Sequence, residues 1–329
     1  MKPGLKALLT VALAASAGAA AAQETPLRVN VFPGSQNLAI FIGLERGIFA
    51  KHGLKIDLQN TPNSDAQRAG LAEGKFEVAH AGIDNAVAMV ETAGRDTVIV
   101  MGGDASMNEF MVRPEINSVA DMRGKVLAVD APNTAYALVA KKILKNNGLI
   151  EGRDYTVRPV GGTLQRSQAI AADPELGGGM VNLPFSIMIR EKGLKSLGRQ
   201  RDFIGAYQAT GAFVMRPWAQ ANAEVLERYL AAYVESLRVA MDPANRAEAA
   251  AVLAKRLKLD PKVAEQTIEQ LMIPGFGLAP DARFDMEGFR TVLALRAEIE
   301  GQWGGKPPAP EKYLDFSYYD RALKRLGAK

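Results

Sequence analysis

FEVAHAGIDNAVAMVE, residues Phe76 to Glu91, begins as a strand and ends as a helix. A glycine, an aspartate and an asparagine sit at the join, with one of only two histidines just before them. Gly82 lets the chain turn closely, and Asp84 or Asn85 caps the helix that follows. His80 and Asp84 invite a catalytic reading, but the Gly82 turn keeps them off one helical face. No serine stands in a Gly-x-Ser-x-Gly elbow, so a hydrolase nucleophile has no motif. His80 reads as a packed residue at a strand end.

The same pattern continues on both sides. Strands are expected at Leu27 to Phe32, Leu54 to Leu58, Phe76 to Ala81 and Thr97 to Met101, the last a continuous apolar run suited to burial on both faces. Helices fall between them, at Leu38 to Leu44, from Ser64 or Asp65 to Glu73, and from Asp84 to Thr92. The pattern then restarts with strands at Glu109 to Val112, Val126 to Val129, Tyr155 to Val160, Met180 to Leu183 and Ala212 to Met215. Alternating strands and helices argue for mostly parallel sheets. After Trp218 helices dominate, with Leu226, Tyr229, Leu230, Tyr233 and Leu237 on one face. Gly177, Gly178 and Gly179 lack the lysine and hydroxyl of a phosphate loop and read as a flexible turn.

The first 22 residues have the plan of a secretory signal. Lys2 and Lys6 precede a small, apolar run, and Ala20 and Ala22 place cleavage before Gln23. Removing the two lysines reduces the formal charge from +4 to +2. No later segment offers an apolar run long enough to cross a membrane. The absence of cysteine excludes disulfides, thiolate metal sites and cysteine nucleophiles. Two histidines and no cysteine give no usual zinc site. Basic residues are scattered without aromatic interleaving, so nucleic acid is not an expected partner.

Four segments together carry a resemblance: LAIFIGLERGIFAKHGLKIDL (Leu38 to Leu58), LAEGKFEVAHAG (Leu71 to Gly82), SVADMRGKVLAV (Ser118 to Val129) and the looser Asn182-Leu183-Pro184-Phe185. In order and spacing they resemble the nitrate/sulfonate/taurine and thiamine-precursor (pyrimidine) solute-binding proteins of ABC transporters. Glu77 stands where that family often has aspartate, and Gly177-Gly178-Gly179-Met180 stands where it commonly has Asp-Ala-Ala. The resemblance implies an α/β protein of the type II periplasmic binding-protein fold: two α/β lobes, a ligand cleft between them and a helical C-terminal tail. Lobe one would be residues 27–110 plus 213–329, and lobe two residues 111–212. It further implies a monomeric periplasmic protein without a cofactor, whose partners are a small-molecule solute, an ABC permease and its ATPase. The alternatives are a periplasmic solute sensor partner and, less well supported, a pyrimidine-synthesis-like enzyme, which would need a histidine in the cleft.

Ligands of open α/β sheets sit beyond the carboxyl ends of the strands. That rule selects Ser35, Gln36 and Asn37; Ser64; Asp84 and Asn85; Asn108; Asn133, Thr134 and Tyr136; Thr163 and Arg166; and Asn182. Several open helices, whose free N–H groups favour an anion. Tyr136 or Phe185 could stack on a ring. An organic acid, sulfonates included, is expected ahead of a pyrimidine-like heterocycle.

Overall fold

Leu27, Val29 and Val31 alternate into the core from the first strand, β1 (Thr25–Val31), as the period of two requires. The computed structural model describes residues 24–327, so the signal segment lies outside the described residues. Nine further strands follow: β2 (Leu54–Asn60), β3 (Val78–Gly82), β4 (Thr97–Asp104), β5 (Asn108–Val112), β6 (Val126–Val129), β7 (Thr156–Pro159), β8 (Leu176–Asn182), β9 (Lys195–Arg199) and β10 (Thr210–Met215). They form two five-stranded sheets, β2-β1-β3-β10-β4 and β7-β6-β8-β5-β9.

The two sheets share one plan. Three strands run parallel in each, β2-β1-β3 and β7-β6-β8. The fourth, β10 or β5, is antiparallel to both its neighbours. The sheets are therefore mixed, because the strand arriving from the other sheet must run back. The chain leaves the first sheet after Asp104, enters the second at Asn108 and rejoins the first at Thr210. A boundary at Met111 would cut β5, which pairs with β8 along its whole length, from Asn108 opposite Asn182 to Val112 opposite Gly178.

Gly177, Gly178 and Gly179 are not a turn but the buried middle of β8. A Cβ on Gly178 would press into the Met111 carbonyl, and one on Gly179 would lie 2.6 Å from the Ala128 carbonyl. Neighbouring backbone fills the place of side chains at Gly178 and Gly179, and the Lys125 and Met122 side chains fill it at Gly177. Gly178→Val should therefore destabilise the chain by about 1–3 kcal/mol through overpacking. Unfolding in urea measures this, and an unchanged midpoint would refute the packing account. Strand β9 went unforeseen because each of its residues is only half-buried, so it carries no apolar run.

Helix caps follow local chemistry. The helix Ser64–Ala72 is capped by Asn63, whose side chain accepts the Ala66 N–H at 2.8 Å, rather than by Ser64 or Asp65. His80 packs in the core, 2.7 Å from the Tyr229 hydroxyl and stacked on Tyr233 with ring centroids 5.1 Å apart. Burial lowers its pKa from 6.5 to about 3. The unfolded chain therefore binds a proton that the folded chain refuses. Stability is complete above about pH 6.5 and falls as pH drops towards 3, by about 2 kcal/mol at pH 5. Urea titrations at pH 7 and pH 5 should show this loss, and His80→Phe should flatten that dependence. An equal slope in the variant would place the acid sensitivity elsewhere.

The C-terminal region is helical. Its longest helix, Ala223–Met241, buries Leu226, Tyr229, Leu230, Tyr233 and Leu237. The helix Met286–Ile299 reaches the second lobe, where Glu298 binds Lys142 at 2.7 Å and Lys145 at 3.0 Å. Phe289 of this helix packs edge to face on Phe284 and Tyr313, and Phe284 in turn lies tilted against Phe316. Among the described residues no helix is long and apolar enough to cross a membrane.

Candidate functional site

The carboxyl ends of β1, β3, β6 and β8 converge where the two lobes meet. The lobes touch there directly: Ser35 Oγ donates to the Leu183 carbonyl at 2.9 Å, and the Gly162 N–H to the Pro62 carbonyl at 2.9 Å. Gly162 allows this approach, since a Cβ there would come within 2.9 Å of the Phe32 ring. Between the lobes is a cavity of ≈ 50 Å³, counted as the space open to the centres of water molecules. At about 10–15 Å³ per water on that measure, it suits a small solute.

Of the residues chosen from sequence, Gln36, Ser64, Asn85, Thr134, Tyr136, Thr163, Arg166 and Asn182 line this cavity together. Most sit in the first turn of a helix: Ser64 in Ser64–Ala72, Asn85 in Asp84–Glu91, Tyr136 in Ala135–Asn146, and Thr163 and Arg166 in Thr163–Ala172. The helix N-termini make the cleft favourable to negative charge.

Arg166 is its cation. It is not a solvated helix charge but 2 % exposed. Nε donates to the Met180 carbonyl at 2.8 Å, Nη1 to the Gly161 carbonyl at 3.0 Å and Nη2 to Thr163 Oγ1 at 3.0 Å. All three acceptors are neutral. Burial lowers its pKa, partly opposed by Asp130 and Tyr136. A guanidinium has five N–H groups, so two remain for an anion.

The polar oxygens form a second set. Asn85 Nδ2 donates to Ser64 Oγ at 3.2 Å, and Gln36 Nε2 to the Phe32 carbonyl at 3.1 Å. Asn85 Oδ1, Gln36 Oε1 and Asn182 Oδ1 are buried without a partner among the described residues. Tyr136 has its pKa raised by burial and then by the Asp104 charge, with Asn108 and Arg166 working the other way.

The other chosen residues do not line the cavity. Ser35 ties the lobes through Leu183, and Asn37 closes its own turn by donating to the Phe32 carbonyl at 2.7 Å. Asp84 is held by Arg296 at 2.6 Å, with both side chains buried. Asn133 offers its backbone carbonyl to the same arginine at 3.4 Å. Asn108 lies at the start of β5, fully buried. Phe185 belongs to the second lobe's core. His80 is not among the lining residues either.

Phe32, Asp130 and Thr210 line the cavity and were missed. Asp130 follows β6 directly, so the strand-end rule could have found it. Thr210 begins a strand and is placed there by long-range pairing, with Gly82 on one side and Asp104 on the other. Its hydroxyl donates to Asp104, whose pKa burial raises.

The topology and the interlobe cleft define the type II periplasmic binding-protein fold. The chain belongs to the NMT1/THI5-like family, whose sequence model matches residues 35–246, more than half of its length. No curated protein sequence matches it. Similar solved structures include a protein of Bordetella bronchiseptica RB50, with TM-score 0.78, 19 % identity and coverage of 92 % of this chain and 98 % of that one. The periplasmic nitrate-binding protein NrtA of Synechocystis PCC 6803 gives 0.76, 14 %, 92 % and 89 %. The alkanesulfonate-binding protein SsuA of Xanthomonas axonopodis pv. citri, bound to MOPS, gives 0.69, 16 %, 92 % and 98 %.

Proposed function

We propose that this chain is a periplasmic substrate-binding protein that captures a small polar organic solute by hinge closure and delivers it to an ABC importer. The family and the binding proteins of like fold support the role. The observation that carries it is Arg166, a buried cation bonded to neutral oxygens, facing a cavity ringed by helix N-termini. That arrangement favours an organic acid or sulfonate as the solute. The lobe built on the first sheet (β1–β4 and β10, with the C-terminal helices) and the lobe built on the second (β5–β9) act as the two jaws, with the β4–β5 connection and the segment before β10 as the hinge. The leading segment would export the chain and be removed, leaving a monomer that docks on a permease carrying its ATPase.

An enzymatic reading has less support. His80, the only histidine near the cleft in sequence, is fixed behind the sheet by Tyr229 and Tyr233. The test is to release bound material from freshly purified mature protein and weigh it by mass spectrometry, then screen that solute and related acids by thermal unfolding. A true solute at about 100 times its Kd stabilises the fold by about 2.7 kcal/mol. No released molecule, together with no shift by any acid, would sink the transport reading.

A further inference from the structure

We infer that Asp130 makes the cleft select an amphoteric solute, one that carries N–H donors opposite its acid group, over a donor-free anion. This rests on the solute-binding reading above. Asp130 and Arg166 line the same cavity. Among the described residues, the Asp130 carboxylate accepts a single N–H, that of Ser64, at 3.2 and 3.4 Å from its two oxygens. Ser64 opens the helix Ser64–Ala72, so a carboxylate of the protein already occupies the place where that helix would draw a solute's anion. The acid group is left to Arg166.

The unpartnered atoms point the same way. In Gln36 and Asn85 the amide nitrogen is bonded within the protein, and the free atom is the oxygen. With Asp130 these oxygens form an acceptor set that no nitrate or simple sulfonate can satisfy, because such ions bring no hydrogen. An ammonium, amidine or amide N–H satisfies them. A bare anion at Arg166 also meets the like charge of Asp130, whereas a solute with a cation at its other end is attracted by it. Discrimination follows from leaving buried acceptors unpaired with the wrong solute.

The experiment uses matched pairs on the mature protein: taurine against ethanesulfonate, β-alanine against propionate, with nitrate as a donor-free ion. Calorimetry should show the donor-bearing member binding about tenfold tighter or more. Asp130→Asn, at a half-exposed position, should shrink that preference by a similar factor and strengthen the donor-free member. Equal binding within the pairs, or a preference unchanged by Asp130→Asn, would overturn the inference, and the wild-type comparison stands even if the variant folds poorly. If none of these probes binds, the molecule released from fresh protein decides: an acid with N–H donors sustains the inference, and a donor-free acid overturns it while leaving solute capture intact. Absence of any released or bound solute overturns both.

Discussion

Arg296→Met is expected to cost about 3–5 kcal/mol of stability, because it strands a buried carboxylate. Asp84 is 1 % exposed and Arg296 is not exposed at all, and they meet at 2.6 Å. Burial alone would lower the Arg296 pKa, but the Asp84 charge and hydrogen bond more than offset it, and the net shift is upward. The same guanidinium reaches Gln302 Oε1 at 3.0 Å and the Asn133 carbonyl at 3.4 Å, so it joins the tail, the first lobe and a loop of the second. Asp84→Asn alone should also destabilise, and the double variant should lose less than the sum of the two. Urea unfolding of the three variants measures the coupling. Additive losses, or a loss below about 1 kcal/mol for Arg296→Met, would show that the pair is not the brace described here.

Arg166→Gln is expected to weaken solute binding by about ten- to a hundredfold, the range of a charge-assisted hydrogen bond. Arg166→Lys keeps the charge but not the fork that spans Met180, Gly161 and Thr163, so it should recover only part of the affinity. Calorimetry with the solute released from the wild-type protein is the measurement. Wild-type affinity in Arg166→Gln would remove Arg166 from the site. Both variants should also melt earlier than the parent, since the Met180 and Gly161 carbonyls lose a donor.

The sequence shows the strands wherever burial imposes a pattern, as in Thr97 to Met101, and hides them where it does not, as in β9. The helix-opening residues of the cleft were legible because a polar residue that follows a strand and opens a helix stands at the sheet end where ligands of open α/β sheets sit. Asp84 fits that rule equally well, yet its partner lies far along the chain at Arg296, and no local signal reveals such a pair. The triple glycine misled because glycine marks both turns and crowded backbone, and only the neighbours at Met111 and Ala128 decide between them. Arg166 lacked a signal of its own. One turn into a helix, a solvated arginine and a buried one look alike.

Strand β10 lies between β3 and β4, so the first sheet cannot be completed until the ribosome has passed residue 215. The second sheet uses only residues 108–199 and can assemble earlier. Until β10 arrives, β3 presents a bare edge and β4 has no strand to pair with, the kind of surface on which nascent chains aggregate or recruit chaperones. Long-range pairing of this sort slows folding. The part of this chain made first is therefore the last to complete its sheet.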